Sequence, residues 1–328
     1  MGSHKKNTNQ LIYFGVDCKK RPLGMLIEKR IPKRYIFNKV KYDLLRVLLF
    51  SVAFHLLKHF FSEHLPHVPF QLPAILGTSI SLLLAFRLNQ SYDRWWEARK
   101  VWGAIVNDSR SLVLQLKAFI KDDFLHLEEG NILLRRMAYR QIAWCYCLGQ
   151  SLRGLEPVSQ VQEEHLPAED LRFIKGQSNK PYALLMRHMV DLKYLHQQEA
   201  INAFQQVQLD NTLVRLCDSM GKAERIKGTV FPVTYSLFVH FFIYLFLVVL
   251  SLALVETIGI YEIPVLMLIA STFFLLEKTS KHLQEPFRNK PTDTSVTAIA
   301  RTIEINIKQV LQESDVPQPL APEEFYIM

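Results

Sequence analysis

Two pairs of side chains have the type and spacing to do chemistry. Cys145 and Cys147 form a C-x-C inside a helical run, and His55 and His59 stand four residues apart on what would be one helix face. Thiolates or imidazoles at such spacing can hold a transition metal. The cysteine pair has no further cysteine close by, since Cys18 and Cys217 lie far along the chain. Four scattered cysteines make no disulfide framework, so buried, reduced thiols are expected, as in a reducing compartment. The histidine pair has His64 and His67 beyond it, but no carboxylate or cysteine in its own apolar run. A structural or interfacial role is therefore expected there, and a buried hydrogen bond for His240. A metal or proton transporter built on His55, His59 and His240 is the alternative.

Covalent and nucleotide chemistry leave no trace. The sequence holds no G-x-x-x-x-G-K-[ST], no H-E-x-x-H, no G-x-S-x-G and no dinucleotide fingerprint. The acidic pairs Asp122–Asp123 and Glu163–Glu164 read as solvated loops, and the sequon Asn107-Asp108-Ser109 falls on the side that is not glycosylated. No catalytic residue, cofactor or resident metal is expected.

The elements that must position any site follow from hydropathy. The 328 residues are 49% hydrophobic and 21% charged, with a net charge of +8 and a mean hydropathy of only +0.06. That average hides a bimodal chain: the 28 residues from Gly228 to Val255 contain no Asp, Glu, Lys or Arg. About 20 apolar residues cross a bilayer, so a membrane protein is indicated and a soluble two-domain enzyme excluded. Four spans are predicted: about Tyr42–Phe61, with Arg46 and Lys58 snorkelling at its ends; Pro69–Phe86; Phe231–Val255; and Ile260–Leu276. No secretory signal is expected, because the first 40 residues lack an apolar core.

Charge sets the orientation. Residues 1–43 carry eleven Lys or Arg against three Asp or Glu, whereas His59–Phe86 and Gly228–Glu277 contain no Lys or Arg. Both short connections, Ser62–Val68 and Glu256–Tyr261, fall in those gaps. The positive-inside rule then puts both termini and the long middle region in the cytoplasm. Anionic lipid headgroups, rather than nucleic acid, account for the basic excess. The expected organisation is a basic segment 1–41, spans one and two within 42–86, a helical cytoplasmic domain 87–229, spans three and four within 230–277, and a cytoplasmic helix with a Pro-rich tail over 278–328. Apolar residues recur at helical spacing in Trp95–Ala118, Ile132–Leu152 and Pro181–Lys227, so the fold class is all-α.

The second span is uncharged yet carries Gln71, Gly77, Thr78, Ser79 and Ser81. Steps of seven, four and four put Gln71, Thr78, Leu82 and Phe86 on one helix face. Such a stripe suits a pore with a hydrophobic constriction; packing through small residues suits it equally.

Phe86-Arg87-Leu88-Asn89-Gln90-Ser91-Tyr92-Asp93-Arg94-Trp95-Trp96-Glu97-Ala98-Arg99 and the following Lys100-Val101-Trp102-Gly103 resemble the signature of the bestrophin family, in its bacterial branch. Arg87, Asn89, Tyr92, Arg94, Trp95, Glu97 and Arg99 carry the likeness. Glu224-Arg225-Ile226 with Phe231-Pro232-Val233-Thr234-Tyr235 resembles the approach to the family's third span. Glu285-Pro286-Phe287 resembles the turn after its fourth, and Arg301-Thr302-Ile303-Glu304-x-Asn306 its C-terminal helix. Together the matches cover roughly residues 25–312.

The resemblance implies a homopentameric channel of the bacterial inner membrane, with four transmembrane helices and a cytoplasmic helical domain per subunit. Membrane lipids and permeant monovalent ions are the further partners it implies. The family's hydrophobic neck maps onto Thr78, Leu82 and Phe86, and its lower cytoplasmic aperture onto Phe204. Thr78 replaces a bulky apolar residue, which implies a wetter outer neck. Chloride is the family's default ion. The uncharged neck leaves monovalent cations open, as it leaves a non-conducting membrane scaffold built on the middle domain. In place of the eukaryotic members' acidic calcium cluster stands Arg288-Asn289-Lys290-Pro291-Thr292-Asp293-Thr294. One acid among two bases is a poor Ca²⁺ ligand set, so no calcium activation is expected through it.

Overall fold

The computed structural model describes residues 32–61, 67–161, 165–229 and 232–321. These form helices and connections, with no strand among the described residues. The basic residues before position 32, Cys18, His64, Glu163–Glu164 and Phe231 lie outside them.

Four helices build an apolar layer: α1 (Lys33–Phe60), the first half of α2 (Gln71–Phe119), α8 (Val233–Ile258) and α9 (Glu262–Leu283). Among the described residues, Gln71–Phe119 and Thr234–Leu283 contain windows apolar and long enough to cross a membrane. The second of these holds α8 and α9, folded back on each other at Gly259. That residue sits at φ 55° and ψ −132°, where a Cβ would be strained. Ile80 and Leu84 of α2 meet Ile243 and Leu247 of α8 and Phe274 of α9 in the core. At Gly77 the approach is closest, since an added Cβ would stand 3.0 Å from the Phe246 ring.

The rest of α2 enters a second layer built around α4 (Glu128–Arg153), of whose 26 residues eighteen are buried. α6 (Lys180–Gln197), α7 (Ala203–Gly228) and α10 (Val296–Val310) surround it, with the short α3 (Asp122–Leu125) and α5 (Ala168–Lys175) at the periphery. Trp102, Met137, Trp144, Leu213 and Ile303 fill the core. α4 also buries Arg140, whose Nε donates to Asp170 at 2.7 Å and whose other guanidinium nitrogen donates to Asp191 at 2.6 Å. Arg187 and Arg136 bind the same two aspartates from the outside, at 2.6 and 2.5 Å. A buried cation is tolerable only with such pairing.

α2 is one unbroken rod of 49 residues, roughly 74 Å at 1.5 Å per residue. The boundary expected at 86/87 therefore falls inside a helix. The expected helix Pro181–Lys227 is instead two, α6 and α7. Glu199 adopts a left-handed φ of 53°, and Asn202 and Gln205 form a reciprocal capping box at 2.9 Å that starts α7 afresh.

Candidate functional site

α2 has two faces in its apolar half. Pro73, Ile80, Leu84, Arg87 and Ser91 are buried. Thr78, Leu82 and Phe86 share the opposite face and are all exposed in the single chain, Leu82 and Phe86 at 57% each. The two readings of the stripe thus separate: packing uses the face that includes Gly77, and the Thr78–Leu82–Phe86 line stays exposed among the described residues. The hydroxyls of this segment bond locally, Thr78 to the Ala74 carbonyl at 2.8 Å, Ser79 to Ile75 at 2.9 Å and Ser81 to Gly77 at 2.7 Å. Serine and threonine can satisfy themselves this way inside a helix, and none of the three hydroxyls bonds another helix among the described residues.

The residues just after the stripe form a junction. Arg87 is buried and donates to Ser236 Oγ at 2.8 Å, with its guanidinium over the Tyr235 ring. Ser91 meets Ser280 at 2.9 Å. Arg94 donates to the carbonyls of Ile226 and Thr229, the end of α7. Trp95 donates through Nε1 to the Thr292 carbonyl at 3.1 Å and stacks on Tyr92 and Trp96. Glu97 pairs with Lys100 at 2.7 Å, Asn89 is exposed and Arg99 is half-buried. Arg87, Arg94 and Trp95 thus join α2 to α8, α7 and the loop before α10.

Along the rest of α2, α7 runs antiparallel. Arg215 pairs with Asp108 at 2.8 Å, Thr212 bonds Gln115 at 2.8 Å, and the Lys121 amide donates to the Ala200 carbonyl at 3.0 Å. Phe204, second residue of α7, is consequently level with the far end of α2, and it is 89% exposed. Thirty-odd residues of α2 separate its level from Phe86, roughly 45–50 Å at 1.5 Å per residue.

The histidines do not assemble. His55 Nδ1 lies 3.2 Å from Glu262 of α9, which also accepts from Ser251 at 3.2 Å. His59 packs edge-on to Phe60, and His240 lies 3.3 Å from Glu277. Lys58 does not snorkel as expected. It is buried, donates to the Leu252 carbonyl and pairs with Glu256 at 3.0 Å, because the last turns of α8 bring a carboxylate and a backbone carbonyl beside it. His67 binds the same Glu256 at 2.5 Å. No local pattern signals this cluster, since its members come from three separate segments.

The two cysteines of α4 are buried free thiols. Burial pushes each up to about 12, which removes the thiolate that metal binding or redox exchange needs. In the same helix, Tyr146 donates to Glu304 of α10 at 2.7 Å and stacks on His165. Burial raises the Glu304 carboxyl, but hydrogen bonds from His165 and Tyr146 and the Arg301 charge outweigh it and hold the group below its ordinary value. The Glu304 of the signature is therefore a tie between helices. Asp293, the lone acid of the expected calcium position, is buried; its carboxyl accepts from the Lys290 amide at 3.0 Å.

A family model described as Bacterial/Fungal Bestrophin protein matches residues 18–309. A similar protein of Escherichia coli, named voltage-dependent anion channel-forming protein YneE, is 31% identical over 296 residues, covering 89% of this chain and 93% of that one. A Nostoc protein, named voltage-dependent anion channel-forming protein alr2987, is 30% identical over 238 residues, 71% of this chain and 76% of that one. The fold is similar to the crystal structure of a bacterial bestrophin homolog from Klebsiella pneumoniae. That likeness has a TM-score of 0.77 and 26% identity, over 84% of this chain and 100% of that chain. The chain belongs to the bacterial and fungal bestrophin family.

Proposed function

We propose that this protein is one subunit of a homopentameric anion channel of the bacterial inner membrane, with α2 lining the pore. The observation that carries the reading is the exposed Thr78–Leu82–Phe86 line on a helix whose other face is buried. Five copies around an axis turn each side chain into a ring, and apolar rings resist wetting. The neck spans nine residues of α2, eight steps of 1.5 Å or about 12 Å. Phe204, exposed at the far end of the cytoplasmic layer, forms a second ring. α1, α2, α8 and α9 are the four spans, with both termini and residues 87–229 cytoplasmic, as the Lys/Arg asymmetry supports.

Selectivity for monovalent anions is supported by the net charge of +8 and by relatives that carry anion-channel names. The reversal potential of purified protein in a planar bilayer under a KCl gradient tests it. The expected value lies near the chloride equilibrium potential; a value near that of potassium overturns anion selectivity. Leu82→Ala and Phe86→Ala each raise conductance or open probability severalfold. Unchanged currents in both variants remove these residues from the pore.

A further inference from the structure

At the end of α9 the Glu285-Pro286-Phe287-Arg288 turn, Ile226, Lys227 and Thr229 at the end of α7, Ser236 of α8 and Arg94 enclose a cleft of about 350 Å³. Four cationic side chains line it, Arg94, Lys227, Lys281 and Arg288, against one carboxylate, Glu285, which is already paired with Arg288. Neither Lys227 nor Lys281 has an acidic partner within ion-pair distance among the described residues. Gln284 also lines the cleft, and its side-chain NH₂ is buried without a hydrogen-bond partner among them. Arg94 is held in place by the Ile226 and Thr229 carbonyls, so one cation of the set is fixed before anything binds.

We propose that this cleft binds a phosphate group, presented either by an anionic lipid headgroup or by free phosphate in the cytoplasm. A pre-fixed guanidinium with two unpaired ammonium groups suits a phosphate, which accepts several charge-assisted hydrogen bonds at once. The cleft is also far larger than a halide requires. The lipid source rests on the reading above, which puts the C-terminal end of α9 at the cytoplasmic leaflet, where anionic headgroups concentrate.

Native mass spectrometry of the full-length protein in detergent, incubated with equal amounts of phosphatidylglycerol and phosphatidylcholine, reads the lipid source. The thermal midpoint in inorganic phosphate against chloride at equal ionic strength reads the free one. A preference of fivefold or more for phosphatidylglycerol that disappears in Lys227→Gln/Lys281→Gln assigns the headgroup. A phosphate-induced rise in midpoint of a few degrees, absent from that variant, assigns free phosphate. The control Lys121→Gln/Lys193→Gln, with the same charge change elsewhere on the cytoplasmic layer, keeps both responses, and Lys281→Arg in place of Lys281→Gln restores them. If the double variant elutes as aggregate, the single Lys281→Gln is read in its place. Neither response in the wild-type protein, or both undiminished in the charge-removal variants, overturns the proposal. Lipid retention and midpoint need no current, so a protein that conducts nothing would sink the channel reading while this test still returned an answer.

Discussion

The two halves of α2 are the same helix in two different situations. From Ala98 to Leu116 most of its large apolar side chains are consumed by the chain itself: Trp102, Ile105, Leu112 and Leu116 are wholly buried against α4, α7 and α10, and Leu114 is the exception that stays exposed. From Gln71 to Phe86 only one face is used, and Leu72, Ile75, Leu82 and Phe86 stay exposed. Apolar surface in the second situation has to meet something outside the chain, whether lipid, a neighbouring copy or the lumen between copies. A hydrophobic residue on α2 therefore reports on folding in one half and on assembly and conduction in the other.

Truncating a leucine in each half tests that division with the largest expected effect. Leu112→Ala removes a fully buried side chain and costs about 2–5 kcal/mol, through lost burial and the cavity left behind. Leu82→Ala shortens an exposed one and costs less than about 1 kcal/mol, while changing current as set out above. Chemical denaturation of both variants checks the first figure against the second. Equal costs at the two positions would mean that Leu82 is packed in a core after all, and the pore face would have to be sought elsewhere on α2.

How far such positions can be read from sequence differs just as sharply between local and long-range features. The spans, the all-helical class and the line from Thr78 to Phe86 follow from periodicity and from where Lys and Arg stop. Those are local patterns, fixed by the pitch of a helix. The break between α6 and α7 was legible too, in Asn202 and Gln205 at capping-box spacing, although apolar periodicity alone runs through it. Pairings across the chain left no mark. Lys58 with Glu256, His55 with Glu262, Arg140 with Asp170 and Asp191, and Tyr146 with Glu304 join segments that are about 30 to 200 residues apart. Each residue alone looks like a snorkelling base, a lone histidine or a surface charge. Only packing brings the partner close enough for burial to be tolerated.

Acid should act on the layer built around α4 through His188, which is fully buried on α6. Burial, and then the nearby Arg140 charge, hold its imidazolium well below the ordinary 6.5. The folded state thus refuses a proton that the unfolded chain accepts. Stability from this group is complete above about pH 6.5 and falls as the pH drops below it, by about 1.4 kcal/mol per pH unit for one proton. Denaturation curves should show lower stability at pH 5 than at pH 7.5, and His188→Gln should remove that share. A variant as acid-sensitive as the parent would put the sensitivity elsewhere.

The smallest expected effect is at Phe204, and it separates the two proposed constrictions. Its ring is 89% exposed in the single chain, so Phe204→Ala should shift the denaturation midpoint by no more than about 0.5 kcal/mol. Its effect on current should also be smaller than that of Leu82→Ala. A longer apolar stretch is the harder to wet, and the neck stacks two apolar levels, Leu82 and Phe86, beside the Thr78 ring, whereas Phe204 supplies one level. Shortening the Phe204 ring leaves the two-level apolar barrier intact and limiting. Single-channel conductance of the two variants, measured in the same lipid and salt, decides between them. A larger gain from Phe204→Ala would make the proposed Phe204 ring the limiting constriction and reduce the proposed neck to a wide, wetted passage.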